Sequence, residues 1–445
     1  MAVAALPASP PGHRFLGHLP AFQRDPLDFL LQCARRYGDF VPLRFATRRA
    51  FFVNDPASIE KILVTDHRNF IKGPALRRSR CVFGNGLLTS EGDFWRRQRE
   101  LAQPAFHRER IQAYSQVMSD CVKRRMTAWQ EGQTCDIHAE MMQLTLQIAV
   151  RTLFGAELEA GWQVAQALEV AQDAFARWIH YVTLLPAWCP TPTMPGLTQA
   201  VRQLDAIVYQ LIRSRRASGD DRGDLLSLLI LAQDEDDGGQ MSDKQLRDEA
   251  LTLFLAGHET TALALTWAWY LLGQHPETEA TLRAELRTVL NGRMPTFADL
   301  PSLKYTEQVI REAMRLYPPA WAIGRTALAD YMLGAHTLPA GATVILSQYV
   351  MHRDHRFFTE PEAFRPERWA DNFARTLPRF AYFPFGGGPR ICIGNTFAMT
   401  EAVLLLAAIA QRWQMRLQPG QTVTPLPAMT LRPKQGVQVE LCALG

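Results

Sequence analysis

The chain has 445 residues, 47% of them hydrophobic and 21% charged, with a formal net charge of +4. That is ordinary for a globular chain able to bury a large core, and the charge is too small to argue for nucleic acid as a partner. The seven cysteines (Cys33, Cys81, Cys121, Cys135, Cys189, Cys392 and Cys442) form neither a disulfide framework nor a zinc pattern, which suggests a reducing cytoplasm.

Residues 1–20 hold no apolar run long enough for a signal peptide or a membrane anchor. Residues 40–45 and 50–53 alternate loosely across a short polar stretch, which predicts a hairpin. From Trp95 to Tyr317 the periodicity is mostly helical, with polar loops at 218–223 and 234–239. Ser242, with Gln245 three residues on, gives a capping-box start to a long helix that Gly273 and Pro276 stop. Strand-like text returns at 342–346 and 436–441. The expected fold is mainly α with small β-sheets.

Between residues 251 and 272 the long helix is apolar on every side, with only His258 and Glu259 as charged-type residues. Such a helix spans a membrane or forms the centre of a large protein. The hexapeptide Ala256-Gly257-His258-Glu259-Thr260-Thr261 argues for the second, because it would be costly in lipid without a partner. Gly257, Thr260, Thr261 and Ala264 are expected on one face, small enough for close passage of a flat ligand. Thr260 can bond back to the carbonyl of Ala256 and open the local ladder. His258 reads as structural.

The most informative segment is Phe385-Gly386-Gly387-Gly388-Pro389-Arg390-Ile391-Cys392-Ile393-Gly394. Glycines allow a sharp turn and close approach to a flat partner. The apolar run 397–413 then reads as a helix, so Cys392 lies near a helix N-terminus, where free N–H groups favour an anionic sulfur. A lone thiolate in such a loop suits the proximal position of a heme iron, and Arg390 could pair with an anionic group of the same cofactor. The string fits F-x-x-G-x-R-x-C-x-G at every fixed position, and on it the chain resembles the cytochrome P450 family, in which a cysteine thiolate holds the heme.

That resemblance implies heme b as cofactor and one domain over residues 1–445, with no reductase fused within it. Cys392 would be the iron ligand, with Phe385, Gly394 and Ala256 beside the heme. Trp95 and Arg99, matching W-x-x-x-R, would join Lys72, Arg325 and Arg390 around the propionates. Thr260 would hydrogen-bond dioxygen and Glu259 would relay protons to it. Glu312 and Arg315 of an E-x-x-R, with Arg368 of Pro366-Glu367-Arg368-Trp369, would brace the heme-binding core.

The substrate pocket is expected at Val82, Phe83, Leu255, Ala320, Ala322 and Ile323, with residues 175–188 as its roof or as ordinary packing. An apolar lining implies a lipophilic substrate, whether fatty acid, terpenoid or polyketide-like. The text leans towards the branch that includes fatty-acid hydroxylases. The implied activity is a cytoplasmic monooxygenase without a membrane anchor. It would hydroxylate or epoxidise its substrate with O2 and electrons from a separate ferredoxin or flavodoxin and its reductase. Arg96 and Arg97 are candidates for docking that donor. A peroxide-driven peroxygenase or isomerase is the alternative, opposed by the Glu259–Thr260 pair. A non-catalytic heme sensor is a third reading, opposed by retention of the oxygen-activating residues.

Overall fold

A computed structural model describes residues 8–155, 166–167, 170–171, 195–232 and 239–444. The expected pocket roof at 175–188 and most of the loop at 234–239 lie outside the described residues.

One five-stranded sheet is built from β1 (Phe40–Phe45), β2 (Arg48–Val53), β3 (Phe70–Lys72), β4 (Ile323–Ala327) and β5 (Thr343–Leu346), in the order β1-β2-β5-β4-β3. The predicted hairpin is β1–β2, with Phe40 opposite Val53. β2 pairs parallel with β5, and the other pairings are antiparallel. Strand alternation divides the sheet's side chains between two cores. Phe40, Phe51, Val53, Val344 and Leu346 enter one, and Val41, Leu43, Ala50, Phe52 and Ile345 the other. Three smaller sheets accompany it among the described residues.

The helices that position the site are α1 (Pro74–Arg78), α2 (Gly92–Ala102), α3 (Arg108–Thr127), α4 (Ile137–Phe154), α5 (Pro195–Ser218), α6 (Asp243–Gln274), α7 (Lys304–Leu316) and α8 (Asn395–Ala410). Both halves of the Ser242–Gln245 capping box are formed at the start of α6. Helix α6 runs through the centre of the protein against α4, α5, α7 and α8. Its Leu251 and Phe254 belong to one core, and its Leu265 and Trp269 to another. Among the described residues no helix is long and apolar enough to cross a membrane, so the apolar girth of α6 serves burial.

Helix α8 stops at Ala410, not at residue 413. Trp413 opens the strand Trp413–Leu417 and meets the Trp129 ring edge-on, with centroids 5.9 Å apart. An apolar run alone does not mark where helix gives way to strand.

Glu312, Arg315 and Arg368 meet in one hydrogen-bonded network. Both Glu312 carboxylate oxygens accept from Arg315, at 2.9 Å each. Arg368 Nε donates to Oε1 at 2.8 Å and Trp369 Nε1 to Oε2 at 2.9 Å. Arg315 spends its other donors on the carbonyls of His352, Pro361 and Ala363. Glu312 and Arg315 are both fully buried, so removing one charge strands the other. Glu312→Ala should therefore lower stability by about 3–5 kcal/mol, and Glu312→Gln by less, as read from urea unfolding by circular dichroism.

Candidate active site

The cysteine loop is shaped by close backbone contacts. Gly386 and Gly388 adopt φ of +71° and +68°, the region that side chains other than glycine enter at a penalty. A Cβ on Gly388 would lie 1.9 Å from the Leu63 carbonyl oxygen, and one on Gly387 2.3 Å from the Phe380 ring. Cys392 N–H donates to the Phe385 carbonyl at 3.0 Å and Ile391 N–H to that of Gly388 at 3.0 Å, which closes the turn. Gly394 is the N-cap of α8. Burial raises the Cys392 thiol above its ordinary pKa, while the Gly394 N–H and Arg99 pull it down. The residue is nonetheless exposed, so protein surrounds it while its surface stays open. A metal ion at the sulfur would displace the proton outright.

Helix α6 is buried along most of its length, but Ala256 is exposed and Gly257 and Thr260 are only half-buried. Thr260 Oγ1 donates to the Ala256 carbonyl at 2.6 Å, the back-bond expected there. Thr261 and Ala264, expected on the same face, are buried instead. The open strip is centred between Ala256, Gly257 and Thr260, which puts Thr261 roughly 90° from its middle. Glu259 also points elsewhere. It is buried, and its Oε1 accepts from Thr430 Oγ1 at 2.6 Å and Arg432 Nε at 2.8 Å. His258 Nδ1 meets the Phe254 carbonyl at 2.9 Å, and burial lowers its pKa, as suits a structural residue.

Lys72, Arg325 and Arg390 form a second group, served by one carboxylate, Glu91. Arg390 bonds Glu91 and the Ser90 carbonyl, and its guanidinium lies 4.3 Å from the centre of the Trp95 ring. Lys72 Nζ donates to the carbonyls of Leu87 and Ser90 at 2.9 and 2.8 Å. Burial, with Arg390 next in weight, pushes Lys72 down to about 6 and Arg325 down to about 10. Two arginines and a lysine set around the Glu91 carboxylate leave room for anionic groups, which would draw a proton back onto Lys72. With an accessible cysteine and the open strip of α6, they fit a heme and its propionates.

The Cytochrome P450 family profile matches residues 7–441. The chain is 42% identical to cyclooctatin synthase of Streptomyces melanosporofaciens, over 95% of this chain and 93% of that one. It is 34% identical to pentalenene oxygenase of Streptomyces avermitilis, over 96% and 95%. A crystal structure of the cytochrome P450DA heme domain superposes with a TM-score of 0.90 at 28% identity, covering 100% of this chain and 99% of that one. A retinoic acid-bound cyanobacterial CYP120A1 gives 0.88 at 26% identity, covering 99% of each.

The chain belongs to the cytochrome P450 family. It is a cytochrome P450 monooxygenase, and several of its expected site residues sit differently from the expectation. Arg99 stands apart from the other cations: its Nη1 donates to the Ile391 carbonyl at 2.7 Å and its Nε to Gln103 Oε1 at 3.0 Å. One turn beyond Trp95, it reaches the cysteine loop. Val82, Phe83 and Leu255 are buried in a core shared with Leu101, Ala105 and Leu251, because Arg247 of α6 ties down the Val82 carbonyl at 3.1 Å. Ala320 is exposed, and Ala322 and Ile323 are half-buried, so these keep surface for a ligand. Arg96 points outward beside Asp93, while Arg97 is half-buried. Sequence reasoning missed Glu91 and Trp369; the adjacency of Trp369 to Arg368 was the one available signal.

The Lys72 shift has a pH signature. Between about 6 and 10.5, the unfolded heme-free chain holds a proton that the folded one sheds, so stability should rise with pH across that window. Lys72→Met should flatten this slope, and heme loading should reduce it, as read from urea midpoints across the window.

Proposed function

We propose that this cytochrome P450 inserts one oxygen atom into a C–H or C=C bond of a terpenoid, drawing electrons from a separate ferredoxin or flavodoxin in the cytoplasm. The observation that carries the reading is the open strip of α6 at Ala256–Thr260 together with an accessible Cys392. One relative is named cyclooctatin synthase and another pentalenene oxygenase, and one structural neighbour holds retinoic acid. Small apolar residues with surface to spare, Ala320, Ala322 and Ile323, suit a hydrocarbon held by burial.

Heme b, held through Cys392 with Lys72, Arg325 and Arg390 at its propionates, would supply oxygen activation when bound. The remaining work belongs to side chains. Thr260 commits its proton to the Ala256 carbonyl, so its oxygen is free to accept from a water or a protonated oxygen in the strip. Glu259, anchored by Thr430 and Arg432 and directed away from the strip, would have to turn from them to pass protons inward. Outward-facing Arg96 offers a charge for an acidic electron donor.

A reduced-minus-CO difference spectrum tests the thiolate, and a strongly red-shifted Soret band is expected. Cys392→Ala should abolish it. Thr260→Ala should keep the band and substrate binding but lower product formed per reductant by up to about a hundredfold, with the electrons appearing as peroxide. Full coupling in Thr260→Ala would remove the assigned role.

A further inference from the structure

A small cavity lies where α4, α6 and the helix Leu225–Leu231 meet. Among the described residues it is lined by Leu153, Leu225, Leu226, Leu229, Ala250 and Leu253. Each of the six is between 1% and 6% exposed, so the space is shut off from bulk solvent. It has room for about one water-sized molecule. Its outer wall is anchored. Asp224, the N-cap of the Leu225–Leu231 helix, accepts the Ser227 N–H at 2.7 Å and pairs with the buried Arg215 of α5 at 2.6 Å. Arg222, beside it, donates to the Gly155 carbonyl at the end of α4 at 3.3 Å.

The position of the cavity on α6 relates it to the oxygen chemistry. Ala250, Leu253, Gly257 and Thr260 recur every three or four residues and so share one stripe of the helix. The first two line the cavity, and the last two belong to the open strip. Leu253 and Gly257 are one turn apart, about 5 Å along the axis. Leu153 stands at the junction: a Cβ on Gly257 would lie 3.7 Å from its Cδ1. One leucine side chain thus has the cavity on one side and the strip on the other. None of the six lining residues carries a polar side chain, whereas a buried water needs several polar partners. Apolar cavities of this kind stay dry and take up small apolar molecules.

We propose that this cavity is a docking site for dioxygen, which reaches Gly257 and Thr260 by passing Leu153. Of the reactants of a monooxygenase, O2 alone is both small enough for the space and apolar enough to prefer it to water. The cavity holds it one helix turn from the strip where it is used, and the leucine lining keeps that store free of water. This rests on the reading of the strip at Thr260 as the oxygen site.

The test is crystallography of the heme-loaded protein under O2 pressure, together with stopped-flow uptake of O2 by the reduced protein. Density for a diatomic molecule should appear between Leu153 and Leu229 under pressure and be absent without it. Leu229→Phe should fill the space, abolish that density and slow uptake several-fold, with the reduced-CO spectrum and substrate affinity unchanged. Leu229→Ala should enlarge the space, raise the occupancy and leave uptake at least as fast, whereas a purely structural defect would slow both variants. A cavity that stays empty under pressure, water in it without pressure, or uptake as fast in Leu229→Phe as in the wild type overturns the proposal. Failure of the strip reading is seen separately, in the coupling of Thr260→Ala.

Discussion

The Cys392 sulfur can be surrounded by protein and still accessible only because the chain before it lies flat against its neighbours. Gly388 sits where a side chain would strike the Leu63 carbonyl, and Gly387 lies against Phe380. The support for this loop is continuous. Arg315, paired with Glu312, donates to the His352 carbonyl at 2.8 Å. His352 Nε2 accepts the Phe383 N–H at 3.0 Å, and the Phe383 carbonyl takes the Gly386 N–H at 2.9 Å. Burial, followed by the charges of Arg315 and Arg353, holds His352 well below its ordinary pKa, which keeps it neutral and able to accept. The E-x-x-R network therefore reaches the ligand loop through one buried imidazole, and Arg99 holds the other side at Ile391.

Positive charge is arranged in two distinct ways. Around Lys72, Arg325 and Arg390 it is partly compensated, by Glu91, by backbone carbonyls and by the face of Trp95. That partial compensation suits a permanent cofactor, since the residual charge is met once and for good. Arg48, Arg77 and Arg78 are only half-buried, each with one enclosed nitrogen that has no partner among the described residues.

What could be read from the sequence was what short spacing fixes. The capping box of α6, the β1–β2 hairpin, the Thr260 back-bond and the Glu312–Arg315 pair each depend on residues within a few positions of one another. What could not be read was direction across the core. Thr261 and Thr260 are adjacent, yet one is buried and the other borders the open strip. Val82 and Phe83 have the apolar character of a pocket lining and of a packed core alike, and only the position of α6 decides between them. The partners Glu91 and Arg432 come from segments far from Arg390 and Glu259 in the chain, and no local pattern announces such pairs.

The placement of Glu259 changes what its neighbour on α6 can do. Its Oε1 is engaged by Thr430 and Arg432, both in or beside the hairpin formed by Pro425–Pro427 and Leu431–Pro433. The same hairpin takes Trp267 Nε1 at the Leu431 carbonyl and Trp321 Nε1 at the Ala428 carbonyl, and gives the Leu431 N–H to Pro319. It thus clamps α6 to the segment that carries Ala320 and Ala322. The Oε1 of Glu259 is thus committed to the hairpin and not to the strip at Thr260. Because Trp321 and Glu259 hang on one hairpin, the segment of Ala320–Ala322 and the Glu259 carboxylate are mechanically joined, and neither moves far without the other.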